Sequence, residues 1–162
     1  MDIRIALAGP GIRSAFVAIL LLLSGCSEPD SPEQRIRQLI ADGESAVEAK
    51  SLSDLRTLIS ENYLDGSKRT RRDLTRLLAG YFLRHKSIHL LVQIHEILVE
   101  EPDRARAVIY VAMAGRPLDD ASQLSFVRAN LYRFDLELSE VEGDWRVAGG
   151  TWRKAVSGDF LE

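Results

Sequence analysis

Near residue 87 the spacing of apolar residues changes from helical to alternating, and that switch decides which fold class the chain can enter. Upstream, apolar residues recur at intervals of three and four, the period of a helix with one buried face. Ser31-Pro32-Glu33-Gln34 reads as a helix start: the Ser31 hydroxyl caps, Pro32 suits the first helical position and Gln34 completes a capping box. Ile36, Leu39, Ile40, Gly43, Ala46 and Val47 then form one stripe, and the helix is predicted to end near Lys50. A second helix starts at Ser51 or Ser53 and carries Leu52, Leu55, Leu58 and Ile59 on one side. Tyr63-Leu64-Asp65-Gly66 reads as a turn. Thr70-Arg71-Arg72-Asp73 is a second capping box, followed by Leu74, Leu77, Leu78, Tyr81 and Phe82 on one face of a helix that ends near Lys86.

Downstream of the switch the pattern is that of strands. Ser87 to Glu101 is rich in Ile, Leu and Val, Pro102-Asp103 turns the chain, and Ala105 to Ala114 returns. Gly115 to Ser122 is a loop. Phe126 to Val141 alternates, with Tyr132, Phe134, Leu136 and Leu138 on one side and Arg133, Asp135 and Glu137 on the other. Glu142-Gly143 makes a hairpin into the strand Asp144 to Ala155, where Gly149-Gly150 predicts a bulge or bend. Residues 156–162 read as a frayed tail. The expectation is an α+β domain over residues 33–155, with three N-terminal helices packed on a strongly curved antiparallel sheet. A chain of 162 residues suits one such domain.

The first twenty-five residues belong to a different kind of segment. Arg4 and Arg13 precede the unbroken apolar run Ala15 to Leu23. A run of about nine is the length of a signal-peptide core, whereas a membrane-spanning helix needs about twenty. Leu23-Ser24-Gly25-Cys26 follows at once and resembles the lipobox of bacterial lipoproteins. The resemblance implies removal of residues 1–25, cleavage between Gly25 and Cys26, and acyl chains on Cys26. This is the chain's one cysteine, so it has no disulfide partner within the chain. Two or more acyl chains anchor a protein stably, where one holds it only marginally. Ser27 beside the cysteine implies, by the sorting rule of enteric bacteria, an outer-membrane anchor facing the periplasm. Residues 26–32 form a short linker of roughly 20 Å reach, which keeps the domain close to the membrane.

The order of elements from Pro32 to Ala155 resembles the nuclear transport factor 2-like superfamily, as does Asp144-Trp145-Arg146-Val147 after a glycine turn. That superfamily includes ketosteroid isomerase, scytalone dehydratase, polyketide cyclases and many non-enzymes. The resemblance implies a cone with a cavity between sheet and helices, and leaves the activity open.

The residues offer no matched catalytic set. His89 and His95 lie six apart in one predicted strand, roughly 20 Å, too far to share a metal. His85 sits at a helix end, where the dipole favours a cation. Asp65 has its own reason to stand in a turn, and Asp135 points away from the aromatic face. No catalytic residue, metal site or cofactor is expected. The expected cavity lining is Tyr110, Arg128, Asn130, Tyr132, Trp145 and Trp152, which would suit a small apolar ligand. The rival function is a small lyase or isomerase working on an apolar substrate there.

Lys68, Arg69, Arg71, Arg72 and Arg76 are the densest charge feature. Cations around a helix start are opposed by the helix dipole, so they do not serve the helix; they would suit contact with an anionic membrane surface. Residues 1–25 carry one net positive charge of a total of −3, so the remainder stands at −4 and is no nucleic-acid binder. An envelope protein or a second copy is the other expected partner. The leading expectation is a membrane-anchored, non-enzymatic ligand-binding or assembly domain of the cell envelope.

Overall fold

The computed structural model describes residues 31–125 and 129–160. The predicted signal peptide, Cys26 and the linker up to residue 30 lie outside the described residues, as does Arg128.

Helix α1 runs from Pro32 to Glu48, α2 from Leu52 to Leu58 and α3 from Arg71 to Arg84. Both predicted capping boxes form: Ser31 and Gln34 bond reciprocally at the start of α1, and Thr70 and Asp73 do so at α3. Ser51 caps α2, accepting from the Asp54 amide. Each side-chain oxygen satisfies an amide that the first helical turn leaves without a partner.

Four strands follow, β1 (His89–Glu101), β2 (Arg104–Ala114), β3 (Asn130–Val141) and β4 (Asp144–Lys154), and they pair antiparallel in chain order. Of three register shifts in the sheet, the two at His95 and Ala148 fall where the strands cross the helices. In β1, Ile94 pairs with Ile109 and Glu96 with Val108, so His95 is the extra residue. In β4, Val147 pairs with Leu138 and Gly149 with Glu137, so Ala148 is extra. A bulge shifts side-chain alternation by one. That shift lets both Trp145 and Trp152, seven residues apart, join the helix-facing side.

The main core lies between helices and sheet, around Ile36, Leu39, Phe82, Ala107, Ile109 and Leu138. A second core covers the far face of the sheet, where Tyr110, Ala112 and Ala114 meet Leu118, Leu124 and Phe160. This corrects the expectation of a frayed tail. Ser157–Phe160 forms a short 3-10 turn, and Phe160 is 4% exposed because it packs on that face. Its ring stands 5.7 Å from that of Tyr110.

Residues 59–66 run along the outer edge of β4. The amides of Ser60, Leu64 and Gly66 donate to the carbonyls of Val147, Ala148 and Gly150. The glycines allow the approach: a Cβ on Gly149 would stand 2.7 Å from the Leu64 carbonyl oxygen. A Cβ on Gly150, whose φ is +147°, would stand 2.5 Å from the Asp135 carbonyl oxygen.

Candidate functional site

Between the helices and the sheet lies a cavity of about 320 Å³. Leu39, Ile40 and Val47 of α1, Leu58 of α2 and Leu77, Leu78 and Tyr81 of α3 form its helical wall. Its sheet wall is Leu90 and Val92 of β1, Ile109, Val111 and Met113 of β2, Tyr132, Phe134 and Leu136 of β3, and Val147 and Trp152 of β4. The alternation of β3 aims Tyr132, Phe134 and Leu136 at the helices together.

Among the described residues, one ionisable carboxyl lines this apolar space, that of Glu44 on α1. Burial raises its pKa, and the nearby Glu48 carboxylate adds to the rise. Among the described residues its side chain has no hydrogen-bond or ion-pair partner. The sequence did carry a signal for it. Glu44 falls four residues after Ile40 and eight after Ile36, so it occupies an apolar-stripe position with a charge.

Tyr81 and Tyr132 line the cavity, and the exposed Lys154 stands beside Tyr132. Burial raises the Tyr81 pKa, neighbouring Tyr132 adds to it, and Arg84 and Lys154 oppose it. The Lys154 ammonium donates to the Tyr132 hydroxyl (3.1 Å) and to Asn130 Oδ1 (3.2 Å), and it lies 4.3 Å from the centre of the Tyr132 ring. The cavity therefore presents aliphatic and aromatic walls that include Glu44, Tyr81 and Tyr132, with the Lys154 ammonium outside the lining.

The six residues expected in the lining are thus dispersed. Tyr132 and Trp152 line the cavity, and Asn130 is an exposed residue beside it. Tyr110 is a correction: Ile109 and Val111 face the helices, so Tyr110 faces away, against His95 and Phe160. Trp145 is a second correction. It packs in the core at a crevice shared with Arg35 and Leu39, apart from the cavity. Arg128 lies outside the described residues.

Asp65 and Arg69 hold the Trp152 wall in place. Asp65 is 5% exposed, and its carboxylate accepts from the Ser67 amide (2.8 Å), the Arg69 amide (2.9 Å) and Arg69 Nε (2.7 Å). Burial alone would raise its pKa; the hydrogen bonds from Arg69 and Ser67 outweigh it and hold the carboxyl below its ordinary value. The Arg69 guanidinium in turn lies 4.2 Å from the centre of the Trp152 ring. Beside this pair, burial and the Asp65 carboxylate push the Tyr63 phenol up to about 12.

Arg69, expected at the membrane surface, is therefore committed to the cavity wall. Of the other basic residues, Arg71, Arg72 and Arg76 join Arg56 around one groove between α2 and α3. Lys68 is exposed in the preceding turn at φ +60°. His85 stacks on Tyr81 at 4.0 Å, His95 meets Tyr110 edge-on at 5.6 Å, and His89 opens β1 opposite Ala114. Asp135 pairs with Arg133 at 2.7 Å on the far face.

The chain matches no protein-family model and no curated protein. Its likeness is to solved structures. One is a Novosphingobium aromaticivorans protein provisionally named a scytalone dehydratase, with TM-score 0.63 and 14% identity over 76% of this chain and 84% of that one. A second is a nuclear transport factor 2-like protein of unknown function from Shewanella oneidensis, with TM-score 0.56 and 18% identity over 75% of this chain and 98% of that one. A third is a nuclear transport factor 2-like protein from Cytophaga hutchinsonii, with TM-score 0.56 and 13% identity over 78% of this chain and all of that one. The domain has the nuclear transport factor 2-like fold, three helices on a four-stranded antiparallel sheet. At these identities the likeness speaks of fold and leaves activity to the site itself.

Proposed function

We propose that this domain binds a small, largely apolar molecule in the cavity beneath its helices, and is held at a membrane of the bacterial cell envelope by acyl chains on Cys26. The observation that carries the binding function is the cavity itself: about 320 Å³ of space with one carboxyl in an apolar wall. A core meant only for stability closes such space, because unfilled volume costs contact energy. At about 30 Å³ for each water-sized group, the space takes a molecule of on the order of ten non-hydrogen atoms.

A homologous series of n-alkanols tests this. Each added methylene buries about 0.8 kcal/mol of transfer free energy, roughly a fourfold gain in affinity. Affinity should climb at that rate and level off at on the order of ten carbons. Val111→Phe, which fills the space from the centre of the sheet, should abolish binding while the thermal transition stays cooperative. A series without chain-length dependence, or binding that survives the filled cavity, refutes the proposal. The anchor is tested separately by the mass of the N-terminal peptide of the native protein. It should begin at Cys26 and carry acyl chains, and Cys26→Ser should release the domain from envelopes.

One observation favours a second function, that of a lyase or isomerase. A carboxyl with a raised pKa in an apolar cavity is how a general base is made. Glu44 has that environment. Glu44→Gln separates the two functions. A binding module keeps most of its alkanol affinity in the variant, whereas an enzyme loses turnover at least a hundredfold with substrate binding retained.

A further inference from the structure

We propose that the groove between α2 and α3 binds the phosphate of an anionic phospholipid headgroup and so orients the tethered domain on its membrane. The groove, of about 440 Å³, is lined by Arg56, Arg71, Arg72 and Arg76 together with Thr75 and Ala79. Two acids answer these four guanidinium groups. Arg71 meets the well-exposed Glu61 at 3.3 Å, and Arg76 meets Asp73 at 3.4 Å. Arg56 and Arg72 are exposed and have no carboxylate within 4 Å among the described residues. The groove is thus an electropositive concavity lined by forked donors, the chemistry that takes a phosphate. Arg71 and Arg72 stand in the first turn of α3, where the helix dipole disfavours a cation and the Asp73 carboxylate of the capping box answers it.

Its place in the molecule selects the source of the phosphate. Thr57 and Leu58, the residues after Arg56, share a crevice with Gln34, Arg35 and Gln38 in the first turns of α1. The same two residues share a second crevice with Asp42, Ser45, Ala46 and Ala49, so the arginine groove flanks the middle of α1, on the order of 15 Å along the helix from residue 31. The five residues between Cys26 and Pro32 reach roughly 20 Å, so acyl chains on Cys26 would keep the α1 side of the domain, and the groove flanking it, within reach of the headgroups. The choice of a lipid over free phosphate rests on the tethered reading; the recognition of phosphate by these arginines does not. Lys68 and Arg69, next to the groove in sequence, are not among its lining residues; Arg69 is held by Asp65 instead.

The experiment uses the native processed protein, incorporated into vesicles of phosphatidylcholine alone or with about a third phosphatidylglycerol. Phenylglyoxal modification is followed residue by residue by mass spectrometry. Arg56 and Arg72 should react at least fivefold more slowly in the anionic vesicles, while Arg153, exposed on the face of the sheet away from the helices, reacts equally in both. Arg72→Gln should restore the reactivity of Arg56, and Arg72→Lys should keep part of its protection. Equal rates for Arg56 in the two vesicles overturn the proposal. Protection by inorganic phosphate over phosphatidylcholine, without protection by phosphatidylglycerol, assigns the groove to free phosphate and overturns the headgroup. If the tethered reading is the one that fails, the protein does not sediment with phosphatidylcholine vesicles at all, a result distinct from sedimentation without protection.

Discussion

A single carboxylate, that of Asp65, ties three parts of the molecule together. It closes the turn before α3 through two amides, holds the Arg69 guanidinium, and through that guanidinium backs the Trp152 ring in the cavity wall. Truncation to alanine leaves those donors without their acceptor and costs about 3 kcal/mol, in the range for a buried charge-assisted network. Denaturant titration of Asp65→Ala at pH 7 reads that loss. The pH dependence has a definite sign. Because the folded pKa lies below the unfolded value, the contribution is present above the unfolded pKa and disappears as pH falls through the folded one. Wild type and Asp65→Ala should therefore converge in stability in acid. A difference that persists unchanged to pH 2 would show that the loss comes from packing and not from the charge. Glu44 has the opposite sign. Its raised pKa makes the ionised form a liability, so stability falls as pH rises through its folded pKa. A neutral replacement, Glu44→Gln, should therefore lose none of this stability as pH rises.

At the scale of elements, the Gly149-Gly150 pair decides whether β4 can serve the cavity. The bulge beside it moves Trp152 onto the helix-facing side, and the missing Cβ atoms let residues 59–66 lie along the strand's edge. Gly150→Ala would set a Cβ against the Asp135 carbonyl oxygen at a φ that L-residues rarely adopt, and should destabilise the fold by about 2–3 kcal/mol. Gly143→Ala, also at positive φ but with nothing within 4 Å of its Cβ, should cost about 1 kcal/mol. Equal losses in the two variants would place the whole effect in backbone strain and none in the close approach. The glycine pair, both capping boxes and the turns were legible in the sequence, because each is written in adjacent residues. The bulge at His95 was not, since His, Glu and Ile carry no turn chemistry. The lining was only half legible for the same reason. Alternation places Tyr132 and Phe134 side by side, but a face can be assigned to Tyr110 only once its neighbours Ile109 and Val111 are seen to meet the helices.

The whole molecule is a sheet with an apolar layer on each side, and the two layers have different jobs. The helix side leaves space; the far side is closed by residues that looked like loop and tail. Gly115 to Ser122 and the residues after Ala155 are polar enough in sequence to read as connectors, and only their meeting in space gives Leu118, Leu124 and Phe160 a common surface. The separation of the two layers is testable through Phe160. Its ring is buried against Tyr110, so Phe160→Ala removes a large contact and leaves a void, at a cost of about 3 kcal/mol. The cavity lies on the opposite face of the sheet, so n-alkanol affinity under conditions where the variant remains folded should match wild type within about twofold. If the terminal turn were a loose end, denaturation would show less than about 0.5 kcal/mol of change, as for a surface substitution. A fall in alkanol affinity parallel to the fall in stability would mean that the far layer sets the width of the cavity, joining the two jobs that the sheet here keeps apart.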